Sequence, residues 1–158
     1  MKQYKRVLTI AGSDDGGGAG VQAGIKTITA CGCYAASAMT AITVQNTVGV
    51  SAVHAVPVGI LEGQMDEVLS DIGADAVKIG MLHSSEVVHC VRKMLDKFDA
   101  KNVVLDPVMV CTSGQRLIEE EAIASLASDL LPRARVITPN MPEAEILLGG
   151  EKLSVQKE

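Results

Sequence analysis

The sequence predicts an α/β protein: a doubly wound, mainly parallel sheet with helices on both faces. Three observations carry this. Short apolar segments of strand length alternate with segments of helical period along all 158 residues. The strand candidates are apolar on both sides, as in a sheet covered on both faces. Glycines and polar residues collect where those segments end, and ligands in such sheets bind beyond the carboxyl ends of the strands.

Each element has its own signal. Arg6–Ile10 is an apolar run and reads as the first strand. Ala19–Ala30 has helical period, with Val21, Ile25 and Ile28 on one face. Ala35–Val44 is small and β-branched, reads as the second strand and ends in Gln45-Asn46. Val48–Val56 reads as a short extended excursion turning at Gly49. Pro57 suits the first position of a helix reaching Ile72, with Leu61, Met65, Val68, Leu69 and Ile72 as its apolar stripe. Ala76–Ile79 is a strand ending in Gly80. Ser84 or Ser85 can cap the next helix, whose inward positions are Val87, Val88, Val91, Met94, Leu95 and Phe98. Asn102–Leu105 is a strand ending in Asp106-Pro107. Glu119–Leu131 is a helix with acids in its first turn, matched to the helix dipole. Val136–Thr138 is a strand ending at Pro139-Asn140, and Pro142–Leu148 a helix closed by Gly149-Gly150. The length suits one domain over 1–158.

Composition narrows the function classes. An apolar fraction of 47% with 21% charged residues fits a folded globular chain. A net charge of −5 with 2% aromatics argues against nucleic-acid binding, which needs a basic face and stacking rings. No window stays apolar long enough to span a bilayer, and Lys2, Lys5 and Arg6 lead straight into a strand, so the expected compartment is the cytoplasm. Cys31, Cys33, Cys90 and Cys111 form no paired C-x-x-C; Cys31-x-Cys33 could hold a metal or be redox-active, but reads as two small buried side chains beside a helix end. His54, His83 and His89 lack the H-E-x-x-H spacing of a metal site.

The run Ala11-Gly12-Ser13-Asp14-Asp15-Gly16-Gly17-Gly18-Ala19-Gly20, between a strand and a helix, first suggests a phosphate cradle. A Walker A loop needs a lysine after its glycines, and none occurs between Arg6 and Lys26. Gly18-Ala19-Gly20-Val21-Gln22-Ala23 matches a dinucleotide fingerprint, but no ribose-binding acid lies between Asp15 and Glu62. Asp14 and Asp15 repel a bare phosphate and suit a ligand with N–H or O–H donors. Alternatively, one of them caps the orphan amides of the following helix.

Five ordered blocks resemble the hydroxymethylpyrimidine/phosphomethylpyrimidine kinases of thiamine biosynthesis, within the ribokinase-like superfamily. They are A-G-S-D-D-G-G-G-A-G-V-Q-A-G-I-K-T from Ala11, A-I-T-V-Q-N-T from Ala41, D-A-V-K-I-G-M-L from Asp75, V-L-D-P-V-M from Val104 and T-P-N-M-P-E-A-E from Thr138. The resemblance implies that Gln45 hydrogen-bonds an aminopyrimidine, with Gly12, Met81 and Val108 lining the ring pocket. A side-chain amide supplies the donor and acceptor that a ring nitrogen beside an exocyclic amine requires. It also implies that Asp106 lies on the Mg²⁺–ATP side, and that Asn140 and Glu143 organise Mg²⁺ and phosphates, with Glu143 and Asp106 (through water) as metal-side carboxylates. Two departures stand out: Asp15 replaces a usual serine, and Gly24 an aspartate bordering the substrate pocket. The family pattern continues beyond the segment matching Gly149-Gly150, with a glycine-rich loop that supplies the catalytic base and anion hole.

The implied reaction is phosphoryl transfer from ATP to a hydroxymethylpyrimidine and then to its monophosphate, performed weakly or not at all by this chain alone. A homodimer fits the resemblance. Two alternatives remain: a pyridoxal-type kinase of the same superfamily, or a non-catalytic substrate-binding fragment.

Overall fold

The structure is a computed structural model that describes residues 4–109 and 117–153. Strands β1 (Arg6–Ala11), β2 (Tyr34–Met39), β5 (Ala76–Ile79), β6 (Val103–Leu105) and β7 (Val136–Ile137) form one parallel sheet in the order β2-β1-β5-β6-β7. Strands β3 (Ala41–Gln45) and β4 (Val50–Ala55) form a separate antiparallel ribbon. The helices are α1 (Gly20–Ala30), α2 (Val58–Glu67), α3 (Ser85–Lys97), α4 (Glu120–Ser125) and α5 (Met141–Leu147). The doubly wound, mainly parallel architecture expected from the sequence is present.

The crossover β1–α1–β2 runs toward one edge of the sheet, and β5–α3–β6 toward the other. Right-handed connections therefore put α1 and α3 on opposite faces. The packing agrees. Leu8 and Ile10 of β1 join the main core with Val87, Val91 and Met94 of α3, while Thr9, between them in sequence, faces Gly24 of α1. Helices α2 and α4 lie against α3, so the main core sits on that face. Helix α3 buries Val87, Val88, Cys90, Val91, Met94 and Leu95, and Ser84 caps it by accepting from the Val87 amide. Each large apolar side chain buried there contributes about 1.5–3 kcal/mol.

Two sequence expectations need correction. The segment 35–44 is not one strand. Met39 ends β2, its backbone N–H donating to Gln64 Oε1 and its carbonyl accepting from Gln64 Nε2. Thr40 then turns the chain out of the sheet: its N–H donates to the Ala11 carbonyl and its hydroxyl to the Met81 carbonyl. The excursion 48–56 is thereby the return strand of the ribbon. The helix expected to reach Ile72 narrows to α2, and Val68–Ile72 continues as a wider π-helical turn. Among the described residues, no helix is long and apolar enough to cross a membrane.

The cysteines divide. Cys90 is buried, whereas Cys31, expected to be buried, is exposed and Cys33 is half-buried, because they occupy the turn after α1 rather than its packed face. Cys111 lies outside the described residues.

Candidate active site

Strands β1 and β5 are neighbours from which the chain departs toward opposite edges of the sheet. Such a switch point leaves a crevice beyond the carboxyl ends of the strands. A cleft of about 680 Å³ opens there, between the strand ends, the inner side of the ribbon and the first turns of α1. Gly12, Gln45, Met81, Asp106, Val108, Asn140 and Glu143 all line it. Residues from Gly12 to Glu143 are thus brought to one cavity by strand-end geometry.

The glycine run does not cradle an outside anion. Asp14 fills its amide nest: Oδ1 accepts from the Gly16 N–H at 2.9 Å, and Oδ2 from Gly18 at 2.9 Å and Ala19 at 2.7 Å. Asp14 is only 5% exposed, enclosed by its own loop. Burial raises its pKa, but the amides of Ala19, Gly16 and Gly18 and the Gln45 side chain outweigh this and hold it below the usual 3.8. One of the two aspartates was expected to cap the orphan amides of α1, but no side chain caps that helix: Asp14 takes the amides of the loop before it, up to Ala19. Gly20, at φ +57°, brings α1 so close that a Cβ there would lie 2.4 Å from the Gly12 carbonyl oxygen.

The loop after β1 also anchors the ribbon. The Ser13 N–H donates to the Ala41 carbonyl at 2.8 Å, and the Thr43 N–H to Ser13 Oγ at 2.9 Å. Asp15, one of the two departures from the resembled family, accepts from the Gln45 backbone N–H at 2.9 Å. It therefore fixes the strand end that carries Gln45 over the cleft. Gly12 lies beneath Met81: a Cβ on Gly12 would come 2.5 Å from Met81 Cε.

The opposite wall is polar. Asp106 accepts from Lys78 Nζ at 3.4 Å with Oδ2 and from Thr138 Oγ1 at 3.3 Å with Oδ1. Glu143 and Asn140 form a capping box at the start of α5. Glu143 Oε2 accepts from the Asn140 N–H at 3.0 Å, and Oε1 from the Met109 N–H at 3.3 Å. With 4% exposure, Glu143 ties the loop bearing Val108 to the loop bearing Asn140. No group of three or more His, Cys, Asp or Glu side chains among the described residues could hold a metal by itself. The donor set instead suits a hard cation held mostly by phosphate oxygens and water, with Asp106 as the accessible carboxylate.

The sequence reading passed over Lys78 and Thr138. A lysine in the otherwise apolar strand Ala76-Val77-Lys78-Ile79 was the available signal, since a charge in a doubly covered strand needs a partner. Gly24 has a packing role: a Cβ there would meet Thr9 Oγ1 at 2.7 Å and Thr9 Cβ and Cγ2 at 3.3 Å, so its bareness lets α1 lie close on β1.

Comparison with known proteins gives this cleft a context. The hydroxymethylpyrimidine/phosphomethylpyrimidine kinase of Haemophilus influenzae is 46% identical over 149 residues, covering 94% of this chain and 55% of the kinase. The crystal structure of phosphomethylpyrimidine kinase from Clostridium difficile superposes with a TM-score of 0.87 at 47% identity, covering 94% of this chain and 64% of that one. A Staphylococcus aureus pyridoxal kinase in complex with AMP-PCP superposes with a TM-score of 0.86 at 38% identity, covering 98% and 56%. The chain thus spans a little over half the length of the H. influenzae kinase. A family model described as phosphomethylpyrimidine kinase matches residues 14–158, and the chain belongs to that family.

Proposed function

We propose that this chain carries the substrate side of an ATP-dependent kinase acting on 4-amino-5-hydroxymethyl-2-methylpyrimidine and its monophosphate. The supporting observation is that Gln45, Gly12, Met81 and Val108 meet in one cleft with Asp106, Asn140 and Glu143 on its far wall. In this reading the Gln45 amide pairs with the aminopyrimidine edge, and Met81 and Val108 sandwich the ring. Asp106 faces the nucleotide and Mg²⁺ through water, while Glu143 and Asn140 hold the loops that present them. Mg²⁺, when bound, neutralises phosphate charge during transfer.

Calorimetric titration of the pyrimidine alcohol tests the reading. Gln45→Ala is expected to weaken binding by roughly tenfold or more, the cost of a buried amide pairing. Unchanged affinity would remove Gln45 from the site. Turnover in an ATP-coupled assay is expected to be weak or absent for this chain alone, and robust turnover would refute that part. The pyridoxal kinase neighbour supports a second reading. Pyridoxal is the discriminating ligand: tighter binding of pyridoxal than of the pyrimidine would favour that reading.

A homodimer fits the ribbon. Ile42 and Val44 alternate with the inward residues of β3 and are 51% and 55% exposed, giving an apolar strip that a second copy can cover. Sedimentation of wild type and Val44→Lys checks this, with the variant expected to be monomeric.

A further inference from the structure

We propose that Lys78 is a phosphate-binding residue of the cleft, meeting a phosphoryl group of either the substrate monophosphate or the nucleotide; this rests on the kinase reading above. The argument begins with where positive character is already spent. The amide nest of the glycine run is filled by Asp14, whose carboxylate takes the N–H groups of Gly16, Gly18 and Ala19. At the start of α5 the capping box takes the Asn140 and Glu143 amides, and Pro142 has no N–H to offer. At both places a carboxylate of the chain itself already occupies part of the amide array.

Lys78 is the one Lys, Arg or His among the described residues that line the cleft. Its side chain is 34% exposed, and among the described residues its ammonium donates to Asp106 Oδ2 at 3.4 Å. An ammonium has three donors, so two remain for a ligand. Gly80 leaves the ammonium room: a Cβ there would lie 2.9 Å from Nζ. The second oxygen of Asp106 accepts from Thr138, which steers Lys78 toward the strand ends where phosphates would lie. The pair then has two partners of opposite preference. The lysine favours a phosphate and the aspartate disfavours it, until a cation intervenes.

Titrations of the 158-residue chain with inorganic pyrophosphate in EDTA isolate the anion site. Lys78→Met is expected to weaken pyrophosphate binding roughly tenfold or more, and Lys78→Arg to retain most of it, since the charge is kept. Asp106→Asn is expected to strengthen it, because a competing carboxylate is gone. A purely structural ion pair would make both variants shift in the same direction. That result, or a Lys78→Met affinity equal to wild type, or no pyrophosphate binding by wild type, would overturn the proposal. Parallel titrations with the pyrimidine alcohol, its monophosphate and ATP identify the source. A loss confined to the monophosphate assigns Lys78 to the substrate phosphate, and a loss confined to ATP assigns it to the nucleotide. If wild type takes up no pyrimidine while the pyrophosphate pattern holds, the pyrimidine reading fails and the anion site stands.

Discussion

Asp14 and its neighbours show how single residues decide what a glycine-rich loop is for. A run of amides between a strand and a helix can hold a phosphate, but here a carboxylate of the same loop already sits in it. Asp14→Asn keeps the shape and removes the charge. It is expected to cost about 2 kcal/mol at neutral pH, the worth of hydrogen bonds to an ionised group. The depressed carboxylate stabilises the fold above its unfolded pKa, and that contribution is lost as pH falls through the lower folded value. Urea unfolding at pH 7 and near pH 3 should therefore separate the two proteins at pH 7 and bring them together in acid. A constant difference would refute the assignment. Asp15 acts differently, through the Gln45 backbone. Asp15→Ala is expected to weaken pyrimidine binding severalfold with little change in melting temperature, because it loosens the strand end and leaves the core intact.

At the scale of elements, much of the order was readable in sequence, and the misses have physical causes. Strands β1, β5 and β6 and helix α3 announce themselves by apolar pattern and by polar residues at their ends. The break between β2 and β3 does not, because Ser37–Val44 contains no glycine or proline and, Met39 apart, stays small or β-branched. The turn is made by long-range bonds from Thr40 to Ala11 and Met81, and by Gln64 closing the end of β2. The strand-end residues of the site were legible because the fold rule places them, whereas Lys78 required knowing that its strand faces an open cleft. Gly24 separates local propensity from packing. Propensity alone makes Gly24→Ala stabilising by about 1 kcal/mol. The contact with Thr9, on a β-branched side chain held inside the sheet, reverses the sign, and a net loss of about 1–2 kcal/mol is expected. A higher melting temperature for Gly24→Ala would show that α1 can move away from β1.

At the scale of the whole molecule, titrating groups spread over the fold set a stability window. Burial lowers the pKa of His83 below its usual 6.5, against the opposing charge of Glu119. As pH falls through 6.5, the unfolded chain takes up a proton that the folded one resists, so stability drops. A second loss follows below the ordinary carboxylate value of 3.8. There Asp14 becomes protonated, as does Asp75, which the Arg6 backbone N–H and guanidinium hold well down. On the alkaline side, burial and the Glu62 charge push the Cys90 thiol above 9.0, so the unfolded chain ionises first and stability declines as pH rises past that value. Stability is therefore expected to be greatest between about pH 6.5 and 9, with the acid side falling in two steps. His83→Gln isolates the first step, since it removes the titration while keeping a polar side chain just before the Ser84 cap of α3. Thermal melts of wild type and His83→Gln from about pH 4.5 to 8 should converge toward the acid end and separate toward neutrality. Curves that run parallel across that range would mean that His83 titrates alike in the folded and unfolded chains, and would move the origin of the first step elsewhere.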